Sequence, residues 1–288
     1  MDTVYKLSKV CADMGINVMG IPKTIDNDLM GTDHCPGFGS AAKYIATTVS
    51  EIARDSLCYD LESVTIVEIM GRNAGWLTAA SALARMSGSG APDLIYLPEV
   101  VFDTDKFLND IRNIMKNKKA VIVAVSEGIK DKDGNYIAQQ TRATNNDLFG
   151  HSQLGGAGKT LEHLVKECLG CKARSIELNT PQRCASHISS KTDIEESFRI
   201  GYAGAKAAID GESGKMMCYA RKSGNEYVCD ITSLDISTIA NAEKKVPAEY
   251  ISDNGSDVTD AFIKYVYPLI QGENDIIYKD GIPVHIFR

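Results

Sequence analysis

No stretch of this 288-residue chain approaches the ~20 consecutive apolar residues that a bilayer-spanning helix needs, and its first residues lack the pattern of a secretory signal. A membrane role is not expected. Basic residues are in deficit: 31 Lys and Arg face 38 Asp and Glu, a net charge of −7. That balance argues against a nucleic-acid or membrane-surface partner, so an anionic substrate has to be held by a local cluster of Lys and Arg. The eight cysteines are scattered through core-like and helical contexts, which suits buried free thiols in a reducing cytoplasm better than a disulfide framework. Cys168 and Cys171 form one C-x-x-C, but a second such pair or a His pair at ligand spacing is missing. A zinc or redox reading of that pair is therefore outweighed by a structural one. Repeats, low-complexity tracts and long linkers are also absent.

What is present is an ordinary globular composition, 44% hydrophobic and 24% charged, long enough for one large or two medium domains. Residues 1–13 carry Val4, Leu7, Val10 and Cys11 at helical spacing with no strand ahead of them, so the chain is expected to begin inside an α/β unit. Residues 16–19 read as a short buried strand. Residues 41–57 trace one apolar helical face, with Ser40 as the N-cap. Strands are expected at 64–70, 93–97, 120–125 and 173–178. Helices are expected at 74–84, at 104–116 capped by Asp103, at 192–210 and at 258–269. This alternation predicts an α/β fold with a mostly parallel sheet. Residues 216–221 and 226–230 read as an antiparallel hairpin around Ser223-Gly224-Asn225. Residues 130–147 are polar, with Asp133-Gly134 as a turn.

Gly155-Gly156-Ala157-Gly158-Lys159-Thr160 looks like a nucleotide P-loop, but Gln153 stands where the pattern needs Gly and no buried strand precedes it. A helix start that packs Leu161, Leu164 and Val165 is the expectation.

The chemistry concentrates in Gly20-Ile21-Pro22-Lys23-Thr24-Ile25-Asp26-Asn27-Asp28, where a strand empties into a Gly-Pro turn and then two carboxylates one residue apart. That is how an open α/β sheet presents chemistry at its carboxyl edge, although an Asx-rich turn has the same composition. In an extended segment Asp26 and Asp28 share a side. Met70-Gly71-Arg72 closes an apolar strand, which points Arg72 out at the sheet edge, and Gly71 permits close backbone approach. Glu127 follows the apolar strand 120–125, and Gln182-Arg183 follow strand 173–178.

The nonapeptide, with Glu68-Ile69-Met70-Gly71-Arg72-Asn73-Ala74-Gly75-Trp76, Ser126-Glu127-Gly128 and Pro181-Gln182-Arg183, resembles the phosphofructokinase family over about residues 1–210. The resemblance implies two Rossmann-like three-layer α/β domains with mostly parallel sheets. The first would comprise residues 1–40 with about 182–240, and the second 41–181 with about 241–288. It also implies that roughly a hundred further residues, with a Gly-rich phosphate loop and a Gly-Gly-Asp turn, precede this point in the family. The first domain is expected to be incomplete at its N-terminus.

The activity implied is transfer of a phosphoryl group to the C1 hydroxyl of fructose 6-phosphate in glycolysis, with Mg²⁺ and either pyrophosphate or ATP. The competing expectation is an inactive fragment that binds sugar phosphate or a partner subunit. By resemblance Asp26 is the catalytic base, and Lys23, characteristic of pyrophosphate-using members and found in some ATP-using ones, meets charge on the transferred group. Arg72 stabilises the transition state. Thr24 and Ile25 with the local backbone hold the transferring phosphate, Asp28 supports the metal or orients its neighbours, and Met70 and Gly71 line the site. Glu127 binds sugar hydroxyls; Arg174 and Arg183, with Thr180, Pro181 and Gln182, hold the 6-phosphate. In the family Arg174's counterpart reaches over from a neighbouring subunit, a crossing not carried over to this chain, and a homo-oligomer is expected. The Arg and His that some bacterial tetramers carry are replaced here by Ser63 and Thr180.

Overall fold

The computed structural model describes residues 1–138, 156–224, 226–239 and 242–284. In chain order the elements are α1 (Asp2–Ala12), β1 (Met19–Gly20), α2 (Phe38–Leu57), β2 (Ser63–Ile69), α3 (Trp76–Ala80), β3 (Leu94–Tyr96), α4 (Thr104–Met115) and β4 (Ala120–Ser126). They continue with α5 (Ala157–Leu169), β5 (Lys172–Glu177), α6 (Lys191–Ile209), β6 (Lys215–Arg221), β7 (Cys229–Asp235), α7 (Asp260–Val266), β8 (Tyr278–Lys279) and β9 (Ile282–Pro283). The chain divides into two compact units, residues 1–43, 183–244 and 267–288 in one and 44–182 with 245–266 in the other. Residues 267–288, expected with the second domain, thus group with the first.

The first unit holds a mixed sheet of order β1-β6-β7, with β1 parallel and β7 antiparallel to β6. Successive side chains of a strand point to opposite faces, and β6 shows it. Met217 and Tyr219 pack with Ile200 of α6 and with Cys229, whereas Met216 and Cys218 pack with Ile236, Met1, Val4 and Tyr5. Helix α1 therefore seats through its first turn; Leu7 and Val10, expected on its buried face, are 50% and 61% exposed. The strand expected at 16–19 shrinks to Met19–Gly20, because Asn17 donates to the Ala208 carbonyl and the Val18 amide to Ser213 Oγ. The hairpin partner expected at 226–230 pairs later, Arg221 opposite Cys229 and Lys215 opposite Asp235. Register follows burial here: this pairing is the one that turns Cys229 onto the α6 side.

Ser40 does not cap α2. It lies inside the helix, and Asp193 of α6 takes the capping role, accepting from the Gly37 amide at 2.8 Å and the Ser40 amide at 3.0 Å.

The second unit holds a fully parallel four-stranded sheet, order β3-β4-β2-β5. Strands β2, β3 and β4 are largely apolar on both faces, as a sheet covered on both sides requires, whereas the edge strand β5 carries Lys172, Arg174 and Glu177. Val64, Ile66, Val121 and Val123 join Phe107, Ile111, Leu161 and Val165 of α4 and α5 in one cluster. The alternate positions carry Thr65, whose hydroxyl lies 3.1 Å from that of Ser56 on α2. Asp103 caps α4, accepting from the Lys106 amide at 2.9 Å. The helix expected at 74–84 is α3 followed by a 3₁₀ segment over Ser81–Ser87, and that expected at 258–269 is α7 followed by a 3₁₀ turn over Tyr267–Ile270. Gly134 turns with φ +81° between the bridged residues Lys130 and Tyr136; the rest of the polar stretch, 139–147, lies outside the described residues.

Among the described residues no helix is long and apolar enough to cross a membrane. All eight cysteines are free thiols; Cys58, Cys168 and Cys184 are exposed, so burial of all eight was too broad an expectation.

Candidate active site

In the second unit, strands β2 and β4 lie side by side with Ile69 opposite Ser126, so the residues after both strands meet at one edge. The Glu127 amide donates to the Ile69 carbonyl at 3.0 Å, and the Gly71 amide to Glu127 Oε1 at 3.3 Å. Ser126 Oγ donates to the Gly71 carbonyl at 2.6 Å and accepts from the Gly128 amide at 3.0 Å. Gly71 has φ +134°, a conformation that L side chains rarely adopt. A Cβ on Gly128 would overlap the Arg72 carbonyl oxygen. Gln182 Oε1 accepts from the Met70 amide at 3.2 Å and its Nε2 donates to the Asn179 carbonyl at 3.0 Å. Met70, Gly71, Arg72, Glu127 and Gln182 thus converge, and Arg72 Nε is buried without a hydrogen-bond partner. A buried guanidinium N–H left unmatched is a donor suited to an anionic group.

Glu99, which the sequence reading did not single out, braces the far end of the same loop. Its Oε1 accepts from the amides of Gly75 and Val246, both at 2.9 Å. Burial pushes its carboxyl above the usual range, against those amide bonds. The signal available was its place just after strand β3.

In the first unit the turn after β1 is set by local bonds. Thr24 Oγ1 accepts from the Asp26 amide at 3.2 Å, and Asn27, fully buried, has φ 55°. Asp26 and Asp28 flank it, both partly buried, while Ile25 points inward and Lys23 is exposed. Burial raises the Asp28 carboxyl above its ordinary range. The loop that follows is fastened to β6: Thr32 Oγ1 accepts from the Tyr219 amide at 2.9 Å, and the Asp33 amide donates to the Tyr219 carbonyl at 3.0 Å.

Beside that loop, His34 sits between two carboxylates, with Nδ1 2.9 Å from Asp33 and Nε2 2.9 Å from Glu196. Arg221 donates to Asp33 at 2.9 Å, Tyr227 Oη to Glu196 at 2.9 Å, and His34 stacks on Tyr219 at 4.3 Å. Burial alone would lower the His34 pKa, but its bonds to Asp33 and Glu196 outweigh that and raise it. His34, Glu196 and Cys229 bring N, O and S ligand atoms within 4.8 Å. Both ring nitrogens already face carboxylates, so the cluster reads as a closed charge network.

Arg174 does not join Arg72 and Glu127 within the chain. It stands opposite Thr65 on β5, four residues from the Ile69 end, or about 13 Å along the strand. Its guanidinium donates to Asp55 at 2.6 Å, Ser56 at 3.0 Å and Thr65 at 3.2 Å. With Lys172 it borders an open recess, also lined by Ser56, Tyr59, Ser63 and Thr65. Thr180, Pro181 and Arg183 are exposed on a 3₁₀ turn.

The P-loop lookalike is answered by Glu68. Its buried carboxylate accepts from the amides of Gly156 at 3.1 Å and Gly158 at 2.7 Å, at the point where α5 begins. A protein carboxylate thus occupies the amides that would cradle a phosphate in a true P-loop. Gly155 lies outside the described residues.

The family profile described as Phosphofructokinase matches residues 1–177. The chain is 39% identical over 99% of its length to the pyrophosphate–fructose 6-phosphate 1-phosphotransferase of Methylococcus capsulatus, covering 68% of that protein. It is 40% identical, again over 99%, to the enzyme of the same name from Xanthomonas campestris, covering 69% of it. The chain belongs to the phosphofructokinase family. In three dimensions it is similar to the pyrophosphate-dependent phosphofructokinase of Nitrosospira multiformis, with a TM-score of 0.87 at 36% identity over 99% of this chain and 68% of that one. The phosphofructokinase fold thus accounts for two α/β units whose strand ends carry the clustered residues.

Proposed function

We propose that this phosphofructokinase-family chain transfers a phosphoryl group from pyrophosphate to the C1 hydroxyl of fructose 6-phosphate, giving fructose 1,6-bisphosphate and orthophosphate, a step of glycolysis in the cytoplasm. The observation that carries the reading is the edge of the second unit's sheet, where the buried Arg72 Nε has no partner and Glu127 Oε1 accepts from the amide of Gly71, the residue before Arg72. A phosphate wants the first group and a sugar hydroxyl the second. The names of the relatives and Lys23 favour pyrophosphate over ATP as donor.

In this reading Asp26 accepts the proton of the C1 hydroxyl as its oxygen attacks phosphorus, and the bond to the bridging oxygen of pyrophosphate breaks. Phosphoryl transfer asks the protein mainly for positioning and charge, which Lys23, Arg72 and the Thr24–Ile25 backbone provide. Asp28 offers a carboxylate oxygen, the hard donor that suits Mg²⁺, which typically takes one or two carboxylates and completes its shell with substrate phosphate and water. When bound, the cation would offset charge on the transferring phosphate. Arg183 binds the 6-phosphate. Arg174, away from the Arg72 edge, offers its recess to sugar phosphate held by a second copy of the chain, so the working form is a homo-oligomer.

The test is an assay of the purified protein with fructose 6-phosphate, Mg²⁺ and each donor in turn. Orthophosphate release from pyrophosphate exceeding any transfer from ATP at least tenfold is expected. Transfer from ATP alone would replace the donor, and calorimetry that detects no fructose 6-phosphate binding would overturn the reading.

A further inference from the structure

The turn that carries Asp26 and Asp28 has no regular secondary structure to hold it, and its central residue is an asparagine in the left-handed region. Such a residue costs on the order of 1 kcal/mol or more to hold there and persists only where its surroundings fix it. The fixing group comes from more than 200 residues further along the chain. Lys244 Nζ donates to Asn27 Oδ1 at 3.2 Å, to the Thr32 carbonyl at 3.1 Å and to the Asp33 carbonyl at 2.8 Å. The Lys244 amide donates to the Asp28 carbonyl at 2.6 Å, and Glu243 bridges Leu29. An ammonium has three donors, and here three oxygens on both sides of the loop meet them.

The groups around this ammonium are mixed in sign. Asp28 and Asp33 attract it, Cys35 lies beside it, and Arg221 opposes it. Burial lowers the Lys244 pKa. A lysine that served only packing would keep its ammonium in water and lay its methylenes on apolar surface. This one buries its charge among backbone carbonyls, the arrangement that fixes a loop's path.

We infer that Lys244 is a positioning residue for the proposed phosphoryl transfer: it locks Asn27 and the loop 28–33 so that the Asp26 carboxylate is presented in one orientation. It acts through the turn and touches no reacting atom. The inference rests on Asp26 being the base, and it adds a residue that neither motif spacing nor local sequence points to.

The experiment compares wild type, Lys244→Met, which keeps length and loses charge, and Lys244→Ala assayed with and without added ethylamine. Turnover of fructose 6-phosphate with pyrophosphate should fall at least tenfold in both variants while KM for fructose 6-phosphate moves less than about threefold. Ethylamine should restore part of the Lys244→Ala rate, and nothing to wild type. Amide hydrogen exchange without substrate should quicken at residues 26–34 and stay unchanged in β2 and β4. Unchanged exchange at 26–34 would overturn the inference, as would equal losses in turnover and affinity with no rescue. If wild type itself transfers no phosphate, the proposed function fails, and the exchange comparison still decides whether Lys244 holds the turn.

Discussion

The two regions that carry this protein's chemistry are fastened by different means. At the edge of the second unit's sheet, Met70 to Arg72 and Glu127 are held by what parallel strands do anyway. Register sets Ile69 against Ser126, and short backbone and hydroxyl bonds finish the corner. The Asp26 turn has no such frame. It is tied by the local Thr24 bond and, from far along the chain, by Lys244, while the loop behind it is held by Arg221, Glu196 and Tyr219. Corners framed by a sheet tolerate side-chain losses and fail when the backbone is crowded. Turns framed by buried charge fail when a charge is removed or titrated.

The strongest break of the first kind is Gly128→Ala. The new Cβ has no room against the Arg72 carbonyl, and overpacking against backbone costs typically 1–3 kcal/mol, occasionally more. Expected are a drop in Tm of several degrees and near-complete loss of turnover. A variant with wild-type Tm and rate would show that the corner is not rigid.

Removing a phosphate ligand tests the reading more gently. Arg183→Ala and Arg174→Ala should each raise KM for fructose 6-phosphate roughly tenfold to a hundredfold, as expected for loss of a charge-assisted bond of about 1.5–3 kcal/mol. KM for the donor should stay within about threefold. Equal weakening toward both substrates would assign these arginines to the fold. For Arg174 the loss should appear only in the oligomer, since its recess stands apart from the Arg72 edge within the chain.

The smallest effect sharpens the second kind of fastening. Folding raises the His34 pKa, so its contribution is fully present below the unfolded value of about 6.5 and is lost as pH rises through the native one. Asp33 behaves oppositely: burial raises its pKa, but bonds to His34 and Arg221 bring it below the ordinary value. Its contribution is present above the unfolded pKa of about 3.9 and lost as pH falls. Thermal melts from about pH 6 to about pH 9 should show Tm declining on the alkaline side, and His34→Gln should flatten that decline. An unchanged slope would remove His34 as its cause.

The same contrast decides what could be read in advance. Strands β2 and β4, the cap at Asp103 and the positions of Gly71, Arg72 and Glu127 follow from local pattern, because each depends on residues within a few places of itself. The cap of α2 was legible only as a need. Ser40 had the right chemistry, yet the carboxylate that meets the helix end is Asp193, 153 residues on. Burial of Leu7 and Val10 was inferred from helical spacing, but α1 seats through Val4, Tyr5 and Ser8. The Gly155–Thr160 motif misleads for a related reason: a buried carboxylate from β2 answers its amides, and no local signal announces it. Lys244 is the plainest case, since nothing in Lys244-Lys245 points 217 residues back to Asn27.

The measurement that bears most directly on the account is turnover against binding in Asp26→Asn. The substitution keeps the shape of the turn and removes the proton acceptor. Turnover with pyrophosphate should fall by ~10²-fold or more, while calorimetry gives fructose 6-phosphate affinity within about threefold of wild type. A variant that binds the sugar phosphate and transfers at near wild-type rate would contradict the assignment of Asp26 as the base.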